Sequence, residues 1–461
     1  MRITTNISAL TAVNQLRKND NSVAKSLERL SSGYKINSSG DDPVGSAISK
    51  KMKTQIRSLG RASQNASDGI SVVETAESTL NEISAMVQRI RELSVQGATD
   101  TYTDVDRESI MNEISQLQTE IDRIANDTEF NSKSLLNGNL SRITYSNRNE
   151  VEVTYMSEFV KSGVYNLDVT PATKSEYTSG AMSPTMSVDG TIDINGTTVE
   201  VKAGDTINDV FEKLVDAGNK LDITVEKQAN NGFKMTSNYT GLSYPINISA
   251  SNTTLANELG ITNGNYVQGQ NAEVLPDEFN VGGSGFPSST IVVTDGNDVT
   301  IKASEGFEMR VKLDDSMTGA GLRVQCYVLE TGTMTIQLGA NEAQEMEIDL
   351  PEVTCKTLGI DKVNARTSSG CQRAIVMCDN ASFFINTARS RIGAYENRLE
   401  STISSLDVTE ENLTAALSRI EDVDMAEEMT TYTTESVLTQ AATSMLAQAN
   451  QVPEKILQLL Q

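Results

Sequence analysis

Histidine and tryptophan are both absent from the 461 residues of this chain. Without histidine there is no Ser-His-Asp or Cys-His pairing, no His-Glu-x-x-His zinc site, and no side chain that ordinarily titrates near neutrality. No catalytic residues, metal site or cofactor are therefore expected, and the acidic neighbours Asp314-Asp315 and Glu410-Glu411 read as solvated surface. Aromatic residues make up only 5% of the chain, which suits thin helical bundles better than one thick globule. No run approaches the roughly 18 apolar residues of a membrane span. The start, Met-Arg-Ile-Thr-Thr-Asn-Ile-Ser, lacks the apolar core of a secretory signal, so composition alone points to a cytosolic protein. The net charge of −24 is spread without a basic patch, which disfavours nucleic acid as a partner. Four cysteines, Cys326, Cys355, Cys371 and Cys378, form no Cys-x-x-Cys pair and are expected as free, buried thiols.

Proline is scarce and unevenly placed. Of eight prolines, only Pro43 precedes Pro171 and only Pro453 follows Pro351. Because proline interrupts helices and central strands, the outer parts of the chain are free to be long helices and the middle is not.

Those outer parts are written in sevens. Ile392, Leu399, Leu406, Leu413 and Ile420 recur every seven residues, while Leu80, Ile83, Val87 and Ile90, and then Ile110, Ile114, Leu117, Ile121 and Ile124, step by four and three. Such spacing marks a coiled-coil seam. Nearer the tips, Ile3, Ile7, Leu10, Leu27 and Leu30 form one apolar stripe. Leu438, Ala442, Met445, Ala449, Val452 and Ile456 form another. The two ends are expected to pack against each other, leaving as a helical rod and returning as one.

The expected elements are a helix over about 3–33, a turn at Ser38-Ser39-Gly40-Asp41-Asp42-Pro43, and helices over about 44–97 and 104–125. A hairpin-like piece follows at Ile143–Tyr155 and Tyr165–Val169. The middle holds a hairpin with Asn195-Gly196 at its tip, a helix near 206–219, strands near Ile223, Phe233 and Ile246, and a second β block over 291–350. Helix resumes near Arg373 and runs to the C-terminal end. Pro453 predicts a kink or a fresh helical turn. The fold class is mainly α with a β-rich insertion: a long antiparallel coiled-coil or helical bundle from both termini plus small outer α+β and β modules. The expected domains are 1–43 with 421–461, 44–175 with 351–420, and an insertion over 176–350, possibly as modules 176–270 and 285–350.

Arg2-Ile3-Thr4-Thr5-Asn6-Ile7-Ser8-Ala9-Leu10, Leu30-Ser31-Ser32-Gly33-Tyr34-Lys35-Ile36-Asn37-Ser38 and Asn65-Ala66-Ser67-Asp68-Gly69-Ile70-Ser71-Val72 resemble bacterial flagellin. So do Ser418-Arg419-Ile420-Glu421-Asp422 and Ala447-Gln448-Ala449-Asn450-Gln451-Val452-Pro453. The resemblance covers about 1–140 and 373–461, with weaker likeness to inserted flagellin modules between. It implies a structural subunit that polymerises into the flagellar filament, not an enzyme. The subunit would be extracellular and exported unfolded without a cleavable signal, overruling the cytosolic reading from composition. Terminal helices would form an inner tube, the long helices a middle shell, and the insertion would project outward. Implied partners are further copies of the chain, an export chaperone, and cap and junction proteins. A hook–filament junction protein and a filament-displayed adhesin are the alternatives.

The run Gln88-Arg89-Ile90-Arg91-Glu92-Leu93 is similar to the flagellin segment recognised by the host Toll-like flagellin receptor. Gln88, Arg89 and Leu93 match its contact positions, and Glu113 matches its acidic one. Arg89 with Leu93 one turn later is expected to make a charged fork beside an apolar knob. A lone amphipathic tip helix gains little from folding while its seam stays wet. Order at the tips is therefore expected only in the polymer, through contacts that propagate and do not close.

Overall fold

A computed structural model describes residues 6–157, 159–261, 264–276, 285–287, 290–329 and 331–459, except the side chains of Glu305 and of residues 452–459. The chain separates into two compact units, one of Met1–Asp68, Gln337–Met346 and Leu399–Gln461, the other of Gly69–Ile336 and Glu347–Arg398. Two of the four divisions fall within the helices Pro43–Gly97 and Ser368–Glu421, and the other two within the strands Met334–Gln337 and Glu345–Ile348.

Helix starts and stops follow local chemistry. Helix α1 (Ile7–Ser32) opens where the Asn6 side chain accepts from the Ala9 N–H at 3.0 Å. It closes at Gly33, whose φ of 78° lets its N–H reach the Arg29 carbonyl, a left-handed cap that suits glycine. Helix α2 (Pro43–Gly97) begins with Pro43 itself. The Asp42 carboxylate accepts from the N–H groups of Val44 at 3.1 Å and Gly45 at 2.9 Å, and proline is well placed in a first turn, where its missing N–H has no intrahelical partner. Thr103 with Asp106 forms a reciprocal capping box on α3 (Asp104–Asp127), and Thr206 with Asp209 does the same for α4 (Ile207–Leu221). Two short helices follow, α5 (Thr253–Glu258) and α6 (Cys355–Leu358), then α7 (Ser368–Glu421) and α8 (Met425–Leu459). The helical assignment of α8 continues through Pro453, so no new helix starts there: the surrounding turns hold despite one missing donor.

In the second unit, α2, α3 and α7 share a dry seam. Leu80, Ile83, Val87, Ile90, Ile114, Ile121, Ile385 and Ile392 are all fully buried. Arg91 meets Asp379 at 2.6 Å and Arg389 meets Glu77 at 3.3 Å, so numbering rises on α2 as it falls on α7 and the two run antiparallel. Gly97 lies so close to Cys371 that a Cβ there would sit 2.6 Å from the sulfur.

The rest of this unit is two β-rich cores. In the first, strands order as 265–267, 246–250, 190–194 and 197–201, beside a three-stranded sheet of 174–178, 233–240 and 223–227. Helix α4 fills the core with Val210 and Leu214 among Tyr177, Ile192 and Phe233. Asn195 and Gly196 take φ of 52° and 86° at the tip of the predicted hairpin, the left-handed pair that such a turn requires.

The second core has two four-stranded antiparallel sheets, 273–276, 163–170, 322–328, 144–146 and 291–295, 298–302, 308–313, 151–156. Here one expectation fails. The strands within 143–155 and 165–169 do not pair with each other: 144–146 joins 322–328, 151–156 joins 308–313, and 163–170 lies between 322–328 and 273–276. Alternation identifies a strand and its faces but not its partner. Cys355 opens α6.

In the first unit, α1 lies along α8, and Leu59, Ala62 and Leu406 form a small core that Ala340 and Leu413 complete.

Candidate functional site: the terminal helix pair

The faces that α1 and α8 turn toward one another are narrow and mix polar side chains with alanine, valine and leucine. On α1 the covered positions include Ala12, Leu16, Asn19, Val23, Ser26 and Leu30; on α8 they include Glu428, Tyr432, Glu435, Thr439, Ala442, Leu446 and Ala449. Both sets keep the four-three rhythm. Asn6 donates its amide to the Ala449 carbonyl at 3.0 Å, Ser26 donates to Glu435 at 3.3 Å, and Arg29 sits 3.6 Å from Glu428. Glu428 Oε1 and Thr439 Oγ1 are buried without a partner. Polar atoms buried unpaired subtract from the stability of the pair.

Five large apolar side chains point the other way. Ile7 is 71% exposed, Leu10 58%, Leu27 55%, Leu438 49% and Met445 62%. The residues read from sequence as one seam therefore divide. Leu30, Ala442 and Ala449 are partly covered within the protomer, whereas Ile7, Leu10, Leu27, Leu438 and Met445 remain uncovered. Ile3 lies outside the described residues, as do the side chains of Val452 and Ile456. On α8 two four-three registers overlap, 438-442-445-449 and 439-442-446-449, sharing both alanines. Period alone cannot say which faces the partner helix. Sequence reading also passed over Met425, Met429 and Val437, all exposed on α8.

The segment with the receptor-like run lies in the second unit. Gln88 and Arg89 are exposed on α2, and the Arg89 guanidinium donates to Glu113 on α3 at 2.8 and 3.0 Å and to Glu92 at 3.4 Å. These hydrogen bonds raise the affinity of Arg89 for its proton. Leu93 is not the expected exposed knob: it is 2% exposed. Its place in the helix turns it toward the dry seam, four residues before Gly97 and three after Ile90.

All four cysteines are free and buried. Burial pushes the thiols of Cys326 and Cys378 up to about 12, far from a reactive thiolate. Among the described residues no group of three or more acidic or cysteine side chains is disposed to hold a metal, and no helix is long and apolar enough to cross a membrane.

Residues 3–141 match the family model of the bacterial flagellin N-terminal helical region, and residues 375–460 that of the C-terminal helical region. A flagellin from Clostridium tyrobutyricum is 33% identical over 459 residues, covering 98% of this chain and 99% of its own. The chain belongs to the bacterial flagellin family. A flagellin of Salmonella typhimurium is 31% identical over 499 residues, covering 99% of each chain. Among solved structures, a flagellar junction protein from Legionella pneumophila, 13% identical, covers 81% of this chain and 99% of its own at a TM-score of 0.28, too distant to bear on the fold. This flagellin is thus a structural subunit of the bacterial flagellar filament, the machinery of swimming, and helical ends around antiparallel sheets are the architecture it uses.

Proposed function

We propose that this flagellin polymerises through the outward apolar stripes of its terminal helices, Ile7, Leu10 and Leu27 on α1 with Leu438 and Met445 on α8, and that Ile3, Val452 and Ile456 extend those stripes. Leu30, Ala442 and Ala449 serve it by keeping the two helices paired. The observation that carries this reading is the apolar surface left wet at the tips: polar groups such as Ser26 and Glu435 share the covered face while Ile7, Leu10, Leu27, Leu438 and Met445 stay exposed. Fully covering a Leu, Ile or Met side chain is worth roughly 1.5–3 kcal/mol. Several such side chains per subunit, covered by neighbouring copies, supply the driving force for assembly. Contacts of this kind are heterologous and extend as a helix of subunits. The domains follow the same logic: an inner layer of 1–43 with 421–461, a rod of 44–175 with 351–420, and the surface insertion 176–350. On this reading the subunit is exported unfolded to the cell exterior without a cleaved signal, with an export chaperone, cap and junction proteins as further partners.

Leu438→Asp combined with Met445→Asp tests the stripes, because two charges in a face that must become dry are costly. Light scattering and electron microscopy after salting-out should show no filaments, while the thermal melt of the monomer stays at the parental value. Normal filaments from the double variant would refute the stripe.

We further propose that the released monomer is recognised by the host Toll-like flagellin receptor through Gln88, Arg89 and Glu113, with Leu93 acting from beneath by holding the helix surface in place. The support is the shared exposure of Gln88 and Arg89 and the tie from Arg89 to Glu113. Arg89→Ala should weaken binding of the purified receptor ectodomain in a surface-plasmon titration; unchanged binding would remove Arg89 from the interface.

A further inference from the structure

The two linkers that join the terminal helices to the long ones are clasped together. One linker runs from Gly33 to Asp42; the other is Asp422–Asp424. Tyr34 and Asp422 form an isolated antiparallel bridge. The Lys35 N–H donates to the Glu421 carbonyl at 2.6 Å, and the Val423 N–H donates to the Gly33 carbonyl at 3.1 Å. Beneath this bridge the Glu421 carboxylate, 10% exposed, meets the Lys53 ammonium of α2 at 2.5 Å. The same ammonium lies 5.2 Å from the centre of the Tyr34 ring. Every residue here belongs to the first compact unit.

We propose that Glu421, Lys53 and Tyr34 are positioning residues for assembly: they fix the direction in which α1 and α8 leave the ends of α2 and α7, and so present the apolar stripes to the growing filament. Two backbone hydrogen bonds at a surface are too few to fix a direction, since water competes for each. The buried carboxylate changes this. Among the described residues its side chain has Lys53 as its ion-pair partner, so removing that partner leaves a nearly dry charge that can regain solvent only by opening the bridge above it. Lys53 is half exposed, which tempers the effect but does not abolish it. Tyr34 adds its ring face to the same ammonium and roofs the pair. The clasp thus joins a ten-residue linker and a three-residue one into a single joint, and the α1–α8 pair is held in register from one end.

This inference rests on the stripe reading above, and the two fail separately. Full-length Lys53→Met, Glu421→Lys and the exchange K53E/E421K would be elongated on fragments of parental filament, followed by light scattering, with monomer melting by circular dichroism and amide exchange at Lys35 and Val423. Each single variant should elongate roughly tenfold more slowly at unchanged melting, and the exchange should recover to within about twofold of the parent. The Lys35 and Val423 amides should be slower than those of Asn37 and Ser39 in the parent monomer and lose that protection in Lys53→Met. Parental elongation in the single variants, an exchange variant no better than the singles, or Lys35 and Val423 amides already as fast as their neighbours would each overturn the clasp. Leu438→Asp with Met445→Asp serves as the reference: its failure to polymerise beside normal clasp variants removes the clasp and leaves the stripes standing.

Discussion

The bundle of α2, α3 and α7 in the second unit and the α1–α8 pair in the first are built from the same seven-residue grammar and use it in opposite senses. In the bundle, Leu80, Ile83, Val87 and Ile90 all point inward and are fully buried. In the pair, the inward stripe mixes Asn19, Ser26, Glu435 and Thr439 with Leu16, Val23, Leu30, Leu446 and alanines, and five further large hydrophobes, Ile7, Leu10, Leu27, Leu438 and Met445, face out. The first arrangement is stable within one chain. The second leaves Ile7, Leu10, Leu27, Leu438 and Met445 uncovered, and under the proposal above neighbouring copies supply that cover.

That contrast can be broken or sharpened by experiment. The largest effect belongs to the bundle: Ile83→Ala should cost the monomer about 2–5 kcal/mol, read as a shifted urea midpoint, because a fully buried side chain leaves a cavity. Leu10→Ala should do the converse. Monomer stability should stay within about 0.5 kcal/mol of the parent, while the critical concentration for polymerisation rises several-fold, measured by sedimenting filaments and assaying the supernatant. A bundle variant that leaves the urea midpoint in place, or a tip variant that moves it by kilocalories, would dissolve the distinction.

Acid should act more gently. Asp106 and Asp209 are held below the ordinary aspartate value of 3.8, first by the hydroxyls and then by the backbone N–H groups of Thr103 and Thr206. A carboxylate depressed in the folded state stabilises it above the unfolded value and loses that contribution as pH falls through the folded one. With no histidine in the chain, monomer stability measured by chemical denaturation should be level from about pH 6 to 8 and decline below about pH 4. The smallest effect is on the thiols. Because burial pushes Cys326 and Cys378 up to about 12, a disulfide reagent at pH 8 should label neither in native protein and all four cysteines once denaturant is added. Fast native labelling, or a disulfide ladder from intact filaments on non-reducing electrophoresis, would contradict their burial.

How legible each region was follows from how many alternatives its pattern admits. The seams at 80–90 and 110–124 could be read directly because only one face of each helix carries Leu and Ile. The 190–201 hairpin could be read because Asn195-Gly196 permits a two-residue turn with both φ positive. At the C-terminal tip two registers share Ala442 and Ala449, and nothing local chooses between Leu438 and Thr439 as the inward residue. Strand partners were hidden for a different reason: 144–146 pairs with 322–328 across a long insertion, and edge complementarity between such distant segments leaves no trace in either one alone. Leu93 shows the same limit on a helix, since the four-residue step from Arg89 predicts a neighbour on the same face but not how deeply α3 and α7 cover it.

By itself the sequence determined that this flagellin has helical ends and a strand-rich middle, and which positions of its helices carry apolar stripes. Spacing, capping residues and proline placement are local signals, and local signals survive in a linear text. Only the tertiary structure decided which face of each terminal helix is turned inward, which strands meet, and that Glu421, Lys53 and Tyr34 converge beneath the two linkers. Those outcomes depend on contacts between segments hundreds of residues apart, where mutual packing and desolvation choose among arrangements that local pattern leaves equally good.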